Sequence, residues 1–87
     1  MNAPHSEIRD ADRIAHDYYK MGVCISIIDN VIADTDEDSP YGSSVEKKAC
    51  VDRNVRHLEL MVARDDWGLE SMTTSNSAIT AGKAYIG

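Results

Sequence analysis

The chain has 87 residues and a mass of 9.6 kDa, with 43% hydrophobic and 28% charged residues, one Trp and no Phe. That length holds one small domain, with aliphatic residues and Met filling a thin core. The net charge of -6 excludes free nucleic acid as a favoured partner, and the longest apolar run, Val23 to Ile28, is far short of a membrane span.

The first half reads as one long helix. Ala11, Ile14, Tyr18, Met21, Ile25, Ile28 and Ile32 recur at alternating spacings of three and four, which is a heptad stripe. Ser6 offers an N-cap, with Glu7 and Asp10 in the favourable first turn, so the helix is expected over about residues 6–35. The β-branched content of Val23–Ile28 favours a strand locally, but the alternation a strand needs is poor there. Gly22 is the point where the helix is expected to kink if it does. Some 45 Å of helix exceeds what a compact chain of this length spans, so an unbroken helix projects from its own domain.

Residues 34–43 form an acidic loop, since clustered carboxylates, Pro40 and Gly42 all oppose helix. Ser43 with Glu46 has capping-box spacing and starts a second helix over about residues 44–66. Its stripe is Val51, Val55, Leu58 and Val62, and Gly68 is expected at its left-handed C′ position. A third helix, about residues 74–86, is expected to be capped at Thr73 or Thr74 and to present Ala78, Ile79, Gly82, Tyr85 and Ile86. The fold class is therefore all-α, an antiparallel hairpin of two long helices plus a short C-terminal third helix, in a single domain over residues 1–87.

Apolar supply exceeds what this hairpin needs. A second stripe on the first helix, Cys24, Ile27 and Val31, has no assigned cover, and the second helix keeps Val45, Ala49 and Leu60 on one side and Cys50 and Met61 on another. Trp67 reads as an anchor of the second helix on the third, or as an interface residue. Cys24, Ile27, Val31, Leu60 and Trp67 are accordingly the candidate interface residues.

Residues that would carry chemistry are sparse. Asp34, Asp36 and Asp38 match positions 1, 3 and 5 of an EF-hand loop. Ser39 replaces the turn glycine, Pro40 follows, and Glu46 falls one residue late to close the site, so the segment reads as a solvated acidic loop. His5, His16 and His57 lack metal-ligand spacing, and Cys24 and Cys50 form no Cys-x-x-Cys pair. No glycine-rich phosphate loop or nucleophile constellation is present. Arg53, His57 and Arg64, on one side of the second helix, read as a mixed solvated face. No catalytic residue, metal site or cofactor is expected. Two cysteines and an N-terminus without a basic or apolar leader fit a reducing, cytoplasmic setting.

Charge is unevenly distributed: residues 1–43 hold nine acids against three bases, whereas residues 44–87 hold six of each. The stretches 53–67 and 78–86 resemble short phage-encoded helical proteins, a likeness that covers under half of the chain. It implies a virion-assembly or host-interaction role, a cytoplasmic or virion location, and no catalytic residue. The expected function is a non-enzymatic interaction or assembly module, partnered by its own copies or by another protein. The alternative is a small acidic mimic that occupies a nucleic-acid site on a host protein. Free nucleic acid and membrane are not expected partners.

Overall fold

The computed structural model describes the backbone of residues 3–36 and 38–87 and the side chains of residues 11–36 and 38–87. It is all-helical, with three helices and no strand among the described residues: α1 (Ala3–Ala33), α2 (Ser44–Val62) and α3 (Thr73–Ile86). Each helix packs against both others. The core is Met21, Ile28 and Val31 from α1, Val51, Val55 and Leu58 from α2, Ala78 from α3, and Trp67 from the link between α2 and α3. Full burial of each large aliphatic side chain contributes about 1.5–3 kcal/mol.

The α1 stripe is buried as periodicity predicts at Met21 and Ile28 and half-buried at Ile14, Tyr18, Ile25 and Ile32, while Ala11 is exposed. Val31, expected on the uncovered stripe, is instead fully buried in the core. A helix that touches two neighbours buries a wider arc than a two-helix seam does, and that arc takes in Val31. The helix runs unbroken through Gly22. It begins at Ala3, so Ser6 lies within it rather than at its cap.

The start of α2 follows the sequence closely. The Ser43 Oγ accepts the Glu46 backbone N–H at 3.2 Å, and the Glu46 carboxylate accepts the Ser43 N–H at 3.3 Å. Both orphan donors are thereby satisfied. The end differs. The helix stops at Val62, four residues before the expected limit. Asp65 and Asp66 would lie at its negative end, where carboxylates are unfavourable. The Trp67 indole N–H donates to the Met61 carbonyl at 2.8 Å, so the departing chain caps the helix it leaves. Gly68 does adopt positive φ, +66°, but in the turn closed by the Glu70 N–H on the Trp67 carbonyl. Neither Thr73 nor Thr74 caps α3; the Ser71 hydroxyl accepts the Thr73 N–H at 3.2 Å.

Helix α3 sits down on the other two at Gly82. A Cβ there would lie 3.2 Å from Val51 Cγ1, 3.7 Å from Ile28 Cγ2, and closer still to Val55 Cγ2. Gly82→Ala should therefore overpack the core by about 1–3 kcal/mol, outweighing a helix-propensity gain of up to about 1 kcal/mol. Its thermal midpoint, followed by circular dichroism at micromolar concentration, should fall. Gly22→Ala meets nothing within 4 Å and should raise the midpoint. Equal rises in both variants would mean that α3 does not approach this closely.

Candidate functional site

Two places in the fold gather notable side chains. The first is a polar clamp between α1 and the segment that follows α2. Arg64 donates to Asp17 on α1 at 2.8 Å and grips Asp66 with two nitrogens at 3.0 and 2.6 Å. Its guanidinium lies 4.6 Å from the centre of the Trp67 ring, a cation–π contact. Trp67 in turn meets Tyr18, with ring centroids 6.0 Å apart. Tyr18 donates its hydroxyl proton to the Ser71 carbonyl at 2.9 Å, and Arg13 approaches Asp66 at 3.6 Å. Hydrogen bonds from Arg64 hold the Asp17 and Asp66 carboxyls below the usual carboxylate range, and Asp66 first, then Asp17, raise the Arg64 pKa. Arg64 is thus a structural fork rather than part of a solvated basic face.

A second polar contact ties the acidic loop to α2. Lys47 is buried, with its Nζ 3.0 Å from the Asp34 carbonyl oxygen and 3.5 Å from its carboxylate. The Asp34 carboxylate also accepts the Ser39 hydroxyl and the Asp36 N–H, and these two bonds lead in lowering its pKa. The loop is therefore not uniformly solvated: Asp34 is engaged, while Asp36 and Asp38 are exposed. In both contacts the polar groups satisfy one another and present no open ligand set.

The second place is apolar. On the side of α1 turned away from the core, Tyr19 is 70% exposed and Val23 41% exposed. With half-buried Ile27 they form an i, i+4, i+8 row, and exposed Gly22, Ser26 and Asn30 form a second row beside it. The two rows line a shallow groove along the helix. Val45, Leu60 and Leu69 are also exposed, elsewhere on the chain.

The five candidate interface residues do not form one surface. Ile27 borders the α1 groove. Cys24 is half-buried against the core, and burial pushes its thiol pKa up, as expected of an unreactive packed cysteine. Val31 and Trp67 are buried in the chain's own core. The Trp67 ring also contacts Tyr18 on α1. Leu60 is 73% exposed on α2, beside Arg56 and Glu59 and away from the α1 row. Tyr19 and Val23 were not among the candidates. Their spacing with Ile27 was available in the sequence, but the stronger heptad stripe beside it masked the signal.

The chain matches no family model, no curated protein and no solved structure in these comparisons. No helix among the described residues is long and apolar enough to cross a membrane.

The clamp makes stability depend on pH with a defined sign. Asp17 and Asp66 have folded pKa values below the unfolded value of about 3.9, so their contribution is full above that pH. It is lost as pH falls through the folded pKa values. Acid titration read by Trp67 fluorescence should be flat from pH 7 to about 4 and then show unfolding. Arg64→Lys cannot hold both carboxylates with a planar fork, so it should lower the midpoint at pH 7 and make the acid dependence shallower. An unchanged acid limb in that variant would place the pH sensitivity elsewhere.

Proposed function

We propose that this chain is a non-enzymatic helical interaction module that associates with copies of itself through the outward face of α1. Its body is an antiparallel hairpin of α1 and α2, braced by α3. The hairpin reading is supported by two cross-links of opposite register. Lys47, early in α2, meets Asp34 just after α1, whereas Arg64, just after α2, meets Asp17 midway along α1.

The observation that carries the association reading is the exposure of Tyr19 and Val23, next to half-buried Ile27, on the outward face of α1. Burying exposed apolar area contributes about 25 cal/mol per Å², and aromatic side chains dominate such contacts. The acidic-mimic alternative gains less support, because Asp17, Asp34 and Asp66 are already engaged within the fold. The resemblance of residues 53–67 and 78–86 to short phage-encoded helical proteins favours an assembly or host-interaction setting, in the cytoplasm or in a virion.

Light scattering after size exclusion tests this reading. The wild-type mass should rise above 9.6 kDa with concentration. Val23→Asp should keep the helical spectrum and the melt but remain monomeric. Ile28→Asp, at a position with no exposed surface, should instead unfold. Copies that each carry -6 should associate more readily as salt rises, whereas an acidic mimic would lose its basic target. A wild-type chain that stays monomeric at the highest soluble concentration would refute self-association.

A further inference from the structure

We propose that the cleft between α1 and the first turn of α3 binds a small carboxylate whose apolar body is about the size of one ring. The cleft has a volume of about 200 Å³ and is lined by Tyr18, Met21, Gly22 and Ile25 from α1 and by Thr74 and Ser75 from α3. The four α1 residues stand at i, i+3, i+4 and i+7, on one face of the helix. All six belong to a single chain, so the site is complete without self-association.

Volume and lining set the size and the apolar part of the ligand. Gly22 leaves the cleft open, since nothing lies within 4 Å of where its Cβ would stand. Tyr18 gives its hydroxyl proton to the Ser71 carbonyl at 2.9 Å, which ties α1 to the chain just before α3 and holds the ring in place as a wall. Met21 and Ile25 add aliphatic surface. Drug-sized ligands occupy about 300–1,000 Å³, whereas an apolar cavity of about 150 Å³ takes a benzene ring. The cleft therefore fits a single ring or a short aliphatic chain.

Ser75 supplies the polar end. It is only 3% exposed, yet its hydroxyl has no hydrogen-bond partner among the described residues, unlike those of Ser39, Ser43 and Ser71. No side-chain oxygen among those residues is both sealed off and unpartnered, so the Ser75 hydroxyl keeps its small opening, and the cleft is the space that Ser75 lines. A buried hydroxyl without a partner is costly. A ligand that accepts from it removes that cost.

The start of α3 selects a negative ligand. Met72 stands at the N-cap and offers no side-chain cap. The Thr73 N–H goes to the Ser71 hydroxyl and the Asn76 N–H to the Met72 carbonyl, whereas the N–H groups of Thr74 and Ser75 have no partner in the described chain. Free N–H groups at the positive end of a 14-residue helix favour an anion. The net charge of -6 does not oppose this locally: segments 18–28 and 71–82 contain one charged residue, Lys20. With no cation lining the cleft, the carboxylate is held by hydrogen bonds and the helix end, so affinity is modest.

Titration of the isotope-labelled full chain, followed by amide nuclear magnetic resonance shifts at neutral pH, tests the site. Benzoate is the probe, benzamide its neutral counterpart and acetate its counterpart without an apolar body. Benzoate should give saturable shifts centred on Gly22, Thr74 and Ser75. Benzamide should bind about threefold or more weakly, and acetate should not saturate over the same range. Ser75→Ala should weaken benzoate about tenfold, and without ligand it should melt no lower than wild type, because the lost hydroxyl had no partner. Equal binding of benzoate and benzamide would overturn the preference for a carboxylate, and equal binding of acetate would overturn the apolar part. Shifts centred elsewhere, or none that saturate, would overturn the site and leave a cleft that holds water only. A drop of several degrees in the Ser75→Ala melt would mean that the hydroxyl is already satisfied within the chain, which removes the basis of the proposal. The comparison of the three probes uses wild type alone and stands whether or not the variant folds.

Discussion

The three helices depend on one close approach. Gly82 carries no side chain, so the α3 backbone comes down onto Ile28, Val51 and Val55, and all three helices meet at that point. A chain of this size without Phe cannot fill a core with large rings, so it reaches close packing by bringing backbones together. The buried residues of α1 are Met21, Ile28 and Val31. With α2 and α3 both on that side, the opposite face of α1 is left bare.

Polar contacts lock what the apolar contact positions. Lys47 fixes the acidic loop to the start of α2, and Arg64 fixes the segment after α2 to the middle of α1. The Arg64 guanidinium lies over the Trp67 indole, which meets the Tyr18 ring at a tilt of 58°, and the polar groups find partners: Asp17 and Asp66, the Met61 carbonyl, and the Ser71 carbonyl. Such satisfied networks favour one arrangement of the links over its competitors. They also remove several carboxylates from the pool available to an outside partner, leaving a smaller free acidic surface than the sequence count suggests.

The asymmetry of α1 joins fold to proposed function. One side of the helix is used twice, by α2 and by α3. The other carries Tyr19 and Val23 beside a row of small residues.

Local structure was legible in the sequence because its causes are local. The heptad spacing of Met21, Ile25, Ile28 and Ile32, the Val51–Val55–Leu58 stripe and the Ser43–Glu46 capping box act within a turn or two of backbone, so they identify the helices and the start of α2 directly. The end of α2 was not legible, because it is set by Trp67 folding back onto the Met61 carbonyl. Nor were the partners of Lys47 and Arg64, which lie 13 and 47 residues away along the chain. The candidate surface was half legible. Ile27 is half-buried, Val31 and Trp67 are core, and the exposure of Tyr19 and Val23 emerged only from the structure. Apolar residues surround most of α1, so periodicity alone offers several faces for burial. Which face is covered depends on where the neighbouring helices approach, as α3 does at Gly82 beside Ile28.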